Sequence, residues 1–270
     1  MTFVCSLSQM PDEKKIAKQL RKIIFGTRPR CPDCMRQMYV KEIQKNRLWR
    51  CRKCRNKFSL TSVTWLKGMK ISLKHLWALI WCWQKKLNVQ QVQELMNISI
   101  PTIRRYYELF RDHLQLDFEV ALKGKVQMDE MFVKGAVVVG AKDIRRRNIK
   151  LIVVNKKAPD KSDAMNLIFH YVKPKSRLFT DGSGIYSGCE KWWPLKHRKD
   201  IHKKWEFALT SEIEGIWANL RTFIRRMYHH TTPQYLPEYV SEFCVRFSSP
   251  EIFISPNNYL QKILRPVPTC

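Results

Sequence analysis

Three acidic residues stand where a folded chain has little structural use for them. Asp129 falls inside the apolar, β-branched stretch KVQMDEMFV, where strand propensity and burial both disfavour a carboxylate. Its neighbour Glu130 must point to the opposite face of such a strand; one of the two is solvated and the other needs a reason. Asp181 ends SRLFTD and precedes Gly-Ser-Gly, the kind of strand-to-loop junction at which α/β sheets present ligands. Glu214 borders the apolar stripe that Ile213, Ile216, Trp217, Leu220, Phe223 and Ile224 form on one helix face. Each acid also has a plain structural reading: an Asx turn for Asp181, or a rim ion pair between Glu214 and Arg221 or Arg225, which share its column. Together they have a chemical one. Converging carboxylates repel unless hard cations neutralise them, and oxygen donors suit Mg²⁺ or Mn²⁺. Two such ions can polarise a phosphodiester, activate water or a 3′-hydroxyl and stabilise the leaving oxygen.

A second cluster carries softer donors. Cys31 and Cys34 in CPDC, with Cys51 and Cys54 in CRKC, give C-x2-C-x16-C-x2-C, which is the spacing of a tetrahedral structural zinc site. The residues between the pairs read as a hairpin returning the second knuckle to the first. The other cysteines are scattered and read as packing residues.

The charge says what such sites would act on. Fifty Lys and Arg against 23 Asp and Glu give a formal net charge of +27 at pH 7, far beyond what solubility needs, and a polyanion such as nucleic acid is the economical partner. The longest apolar stretch, ISLKHLWALIWCW, is short and contains Lys74 and His75, so no membrane span is expected. The N-terminus lacks the basic-then-apolar order of a secretory signal, which places the protein in the cytoplasm, associated with DNA.

The elements that must position these residues follow from periodicity. Residues 1–66 read as an N-terminal helix and the zinc ribbon. Residues 67–122 read as helices, with Ser72 as N-cap of the first and Asn88 with Gln91 as a capping box on a short second. A three-residue turn ending at Ser99 then leads into IPTIRRYYELFRDHL. A short helix, small turn and longer helix resemble a helix-turn-helix, with Arg104, Arg105 and Arg111 available to DNA; a plain helical linker with a solvated basic face explains the pattern too. From 123 to 250 the runs KVQMDEMFV, KGAVVVGA, IKLIVVNKK and SRLFTD read as strands, and 163–172, 210–228 and 238–247 as helices. Strands followed by packed helices make this an α/β core, with Glu242 and Arg246 able to pair at i,i+4 and residues 251–270 left as a C-terminal tail.

The order of zinc ribbon, helical segment, VQMDEMFV, FTDGSGIY, EIEGIWANLR and YLPEYVSEFCVRF resembles the Merlin-like group of insertion-sequence DDE transposases over about residues 25–250. The resemblance implies a ribonuclease H-like core in which Asp129, Asp181 and Glu214 bind the catalytic Mg or Mn. It also implies cleavage and strand transfer at terminal inverted repeats, joining to target DNA, and a homo-oligomer on DNA. Tyr186 and His202 match family positions beside the site. Where the family carries a polar stretch before I-E-G, this chain has LTSE, so Ser211 or Glu212 would have to supply that support. Two other functions share parts of the pattern. A catalytically inactive DNA-binding protein or regulator derived from a transposase keeps the ribbon and charge, whereas a zinc-ribbon RNA-processing factor leaves the acids unexplained.

Overall fold

The computed structural model describes residues 10–45, 47–115, 121–199, 211–229 and 231–264. The chain divides into two compact units, residues 1–110 with 251–270 and residues 111–250.

In the first unit, helix α1 (Glu13–Phe25) is capped by Asp12, whose side chain accepts from the Lys15 amide. Strands β1 (Val40–Gln44), β2 (Leu48–Cys51) and β3 (Lys57–Ser59) form an antiparallel sheet in that order. Phe25 closes against Trp49 and Phe58, with ring centroids 5.3 and 5.9 Å away, so one aromatic cluster joins α1 to the small sheet. Helices α2 (Leu73–Gln84), α3 (Val89–Met96) and α4 (Ile100–Gln115) follow. Ser72 caps α2 and the Asn88–Gln91 capping box opens α3, both at the positions expected from sequence. Asn97 ends α3 in the left-handed region at φ 52°, a conformation that asparagine tolerates well. Ile98 and Ser99 then lead into α4.

Residues 251–264, expected as part of a tail, are folded. A 3-10 turn (Pro250–Phe253) and helix α8 (Pro256–Ile263) belong to this unit. Gln84 donates to the carbonyls of Ile252 and Ser255 at 2.9 and 2.8 Å. Tyr259 donates to Phe110 O at 3.0 Å and lies 5.2 Å from Trp83. The signals for this helix are Ser255 as N-cap and Pro256 in the first turn.

In the second unit, β4 (Lys125–Val133), β5 (Ala136–Asp143), β6 (Ile149–Val154), β7 (Arg177–Thr180) and β8 (Lys196–Lys199) form a sheet in the order β6-β5-β4-β7-β8. β4, β5 and β6 are antiparallel neighbours, whereas β7 and β8 run parallel to β4. This is the strand order of a ribonuclease H-like α/β core. α5 (Lys161–Tyr171) carries the chain across from β6 to β7 and buries Ala164, Met165, Leu167 and Ile168 against Val126, Met128, Val137 and Val139. α6 (Ser211–Met227) packs on β4 and β5, and α7 (Leu236–Ser248) on β6. The Glu242–Arg246 pair is present, buried, at 2.7 Å.

Candidate active site

β4 presents two polar side chains to α6. Gln127, 2% exposed, accepts from the Ile213 amide at 2.9 Å and so satisfies one of the orphan donors of the helix's first turn. Two residues on, on the same face, Asp129 accepts from the indole N–H of Trp217 at 2.8 Å. Gly140 lies directly opposite Asp129 in the β4–β5 ladder. A Cβ there would come within 2.3 Å of the Trp217 ring and 2.6 Å of Leu151. The glycine therefore leaves the space through which the indole reaches the carboxylate. Burial raises the Asp129 carboxyl above its ordinary range; the Trp217 and Glu130 N–H groups oppose this, and the charges of Asp181 and Glu214 add to it.

Asp181 is the first residue beyond β7, and Ser183 N donates to it at 3.0 Å. The Asx turn weighed for it is thus present. Asp129, Glu130 and Asp181 each offer an oxygen within 4.8 Å of the others. Glu130 is the member that the alternation of strand side chains hid. β7 ends opposite Met128, so at Asp129 and Glu130 one flank of β4 has lost its neighbour, and side chains of both faces can turn towards the strand end that carries Asp181. Tyr186, buried, donates to Glu130 at 2.6 Å. Burial, then the charge of Glu130, pushes the Tyr186 hydroxyl far above its ordinary value, so it stays a neutral donor. Glu130 itself is raised by burial, with Tyr186 opposing and the Asp181 and Asp129 charges adding.

Glu214 stands on the exposed side of α6, in its first turn, one turn before Trp217. It is outside the 4.8 Å group, yet its charge acts on Asp129. Glu212, considered as support for the acids, pairs instead with the buried Lys142 at 2.9 Å. His202 lies outside the described residues.

The arginines separate into two kinds. Arg104, Arg105, Arg221 and Arg225 are exposed. Arg111, expected to be available to DNA, is 6% exposed and donates to Tyr228 and Glu238 at 3.3 and 3.4 Å. Its guanidinium also lies 4.9 Å from the Tyr239 ring, which stacks on Tyr228 at 3.7 Å. That position makes it a packing residue: its two terminal nitrogens are engaged by Tyr228 and Glu238, and the side chain is buried. A cationic cleft that sequence reading did not pick out gathers Lys123, Lys125, Arg145, Arg146, Lys175 and Arg177. They are far apart in sequence, and the β4–β7 pairing and the β5–β6 turn bring them together.

In the ribbon, Cys31–Cys54 and Cys34–Cys51 sulfurs are 3.4 Å apart and Cys34–Cys54 3.8 Å. Four thiolates at the usual zinc–sulfur length and tetrahedral angles sit about 3.8 Å from one another, so the cage has the size of the ion. The residues after the two knuckles, Met35 and Arg55, adopt φ of 62° and 63°. Each knuckle thus turns back in the same way and aims backbone N–H groups at its sulfurs. Burial pushes the Cys31 thiol up and the hydrogen bond with Cys51 pushes Cys34 up, whereas the Cys54 amide holds Cys51 down to about 6, so among these three it is Cys51 that favours the thiolate a metal needs.

A mixed α/β core bearing clustered carboxylates, in one chain with a zinc-ribbon cysteine cluster, sets the class of the molecule. Comparison by family gives the particular group. Residues 134–248 match the ISXO2-like transposase domain and residues 11–57 the transposase zinc-ribbon domain. The chain belongs to the IS1595 family of insertion-sequence DDE transposases, whose zinc-ribbon and catalytic domains it carries. The matched catalytic span contains Asp181 and Glu214 and begins just after β4, so Asp129 lies outside it. A crystal structure of the catalytic core domain of BIV integrase aligns over 46% of this chain and 82% of its own, at 12% identity and a TM-score of 0.36. Comparison with curated proteins gave no match.

Proposed function

We propose that this chain is an active transposase that binds the terminal inverted repeats of its own element as double-stranded DNA, cleaves at their boundary and joins the freed 3′-hydroxyl to target DNA. The observation that carries the reading is the convergence of Asp129, Glu130 and Asp181 within 4.8 Å, with Glu214 in electrostatic reach, in a chain of net charge +27. An all-carboxylate donor set fits Mg²⁺ or Mn²⁺ rather than zinc. Asp129, Asp181 and Glu214 would hold the ions, and Glu130 offers a fourth carboxylate. When bound, such ions polarise the phosphodiester and stabilise the attacking and leaving oxygens.

The protein's own residues prepare that chemistry. Gln127 anchors the start of α6, which carries Glu214, and Trp217 fixes one oxygen of Asp129 so that the other is left for a cation. Tyr186 holds Glu130 in one orientation. Exposed Arg221 and Arg225 lie on the helix that carries Glu214 and offer charge to the DNA backbone, as does the cationic cleft of the core. The ribbon and the α3–α4 pair, with Arg104 and Arg105, bind the repeats. Joining two ends to one target calls for a homo-oligomer on DNA.

The test is a labelled duplex ending in the element's own repeat, incubated with Mg²⁺ or EDTA. Asp129→Asn, Asp181→Asn and Glu214→Gln proteins should bind the duplex as the unaltered protein does and fail to nick it. Specific binding without cleavage in the unaltered protein under Mg²⁺ and Mn²⁺ would make the chain a DNA-binding relic instead.

A further inference from the structure

We propose a second transition-metal site in the core, formed by Cys189, Glu190 and His197, separate from both the ribbon and the carboxylate cluster. One donor atom of each lies within 4.8 Å of the others. The Cys189 sulfur is 3.6 Å from Glu190 Oε2, and His197 Nδ1 is 3.7 Å from the same oxygen. Around a tetrahedral zinc, usual bond lengths put sulfur and oxygen ligands about 3.5 Å apart and nitrogen and oxygen ligands about 3.3 Å apart. Both separations from Glu190 Oε2 are thus within a few tenths of an ångström of those around a shared ion, and the third pair lies within 4.8 Å.

The hydrogen bonds around His197 say which of its nitrogens is free for this. Thr180 spends its hydroxyl hydrogen on the Asp181 carbonyl, 2.8 Å away. Its oxygen, 2.9 Å from His197 Nε2, must then accept, so Nε2 carries the proton. With Nε2 protonated, the neutral form of His197 turns an unprotonated Nδ1 towards a carboxylate oxygen, two acceptors facing one another at 3.7 Å. A cation between them resolves that opposition, and metal-ligating histidines are oriented in this way by a partner on the other nitrogen. Cys189 is fully buried and the His197 side chain is 3% exposed, whereas that of Glu190 is 48% exposed, so the ion enters past Glu190. Binding releases the Cys189 thiol proton to solvent, and thiolate plus carboxylate cancel the charge of a divalent ion. Mixed sulfur, nitrogen and oxygen donors select Zn²⁺, Co²⁺ or Fe²⁺ over Mg²⁺. Nearby Lys199 is engaged by Ser187 at 2.8 Å. Because Thr180 links His197 to the Asp181 backbone, the ion would brace the strand end that presents Asp181.

The experiment is Co²⁺ titration of the full-length, metal-stripped protein in excess Mg²⁺, which occupies the carboxylates, followed by thiolate-to-cobalt charge-transfer absorption. Two thiolate-bound cobalt ions per chain are expected, one from the ribbon. Cys189→Ser should retain only the ribbon's ion. Glu190→Gln, altered at an exposed side chain and so folded, should retain both but bind the second at least about tenfold more weakly. A single thiolate-bound ion in the unaltered protein would overturn the proposal, as would titrations of Glu190→Gln and the unaltered protein that superimpose.

Discussion

Gly140→Ala tests how the core places Asp129. Gly140 needs no unusual φ; what it supplies is space, since an added Cβ meets the Trp217 ring at 2.3 Å and Leu151 at 2.6 Å. Carbon atoms rest about 3.5–4.0 Å apart, so one partner must retreat by more than about 1 Å. The backbone of β5 cannot, because β4 and β6 are bonded to either side of it. Leu151 lies in the buried core, leaving the rigid indole to move as a body. Its N–H then loses Asp129, now at 2.8 Å. Overpacking costs about 1–3 kcal/mol and a lost hydrogen bond to a charged acceptor about 1.5–3 kcal/mol. Together they remove about 2.5–6 kcal/mol of a stability that is typically about 5–15 kcal/mol.

In urea, with a slope of about 2 kcal/mol per molar, the unfolding midpoint should fall by about 1.2–3 M, and cleavage should be lost at temperatures where the variant is still folded. Trp217→Phe removes the same hydrogen bond and the outer ring without adding a clash. In that background Gly140→Ala should cost at least about 1 kcal/mol less than it does alone. Additive costs within about 0.5 kcal/mol, or a Gly140→Ala protein that keeps both its midpoint and its cleavage, would refute the account.

Three further outcomes are expected. Chelation of the ribbon, or Cys51→Ser, should abolish binding to the repeats while far-UV circular dichroism of the core persists, and metal analysis of the unaltered protein should give at least one zinc per chain. Arg111→Ala should destabilise the core by about 2–4 kcal/mol, since it strips Tyr228 and Glu238 of a buried partner, whereas Arg104→Ala should leave stability unchanged and lower the slope of log affinity against log salt by about one unit. Burial raises Asp129 and Glu130 above ordinary carboxylate values, so the folded state binds more protons than the unfolded. In metal-free protein their contribution to stability must fall as pH rises from the ordinary carboxylate range through the raised values. Thermal melts should show that fall in EDTA, and saturating Mg²⁺ should reverse it; a melting temperature indifferent to Mg²⁺ at neutral pH would count against the cation site.

What sequence could reveal here depended on how local the cause was. The ribbon was legible because zinc coordination fixes ligand spacing along the chain, and the Ser72 and Asn88 caps because a cap acts within three residues. Strand runs and the stripe on α6 follow from periodicity alone. Arg111 misled because charge predicts exposure only on average: Tyr228, Tyr239 and Glu238, more than a hundred residues away, form the pocket that buries it. Glu130 was hidden for a different reason. Alternation assigns it to the face opposite Asp129, but beside an open flank a long side chain can reach round the strand's edge. Register decides where that flank opens. β7 stops opposite Met128, and only that long-range pairing lets Glu130 reach Asp181. The pairing on the other side of β7 carries His197 on β8 to Thr180. One short parallel strand therefore sets both the carboxylate cluster and the donors beside it, and its length, four residues from Arg177 to Thr180, has no signature in local composition.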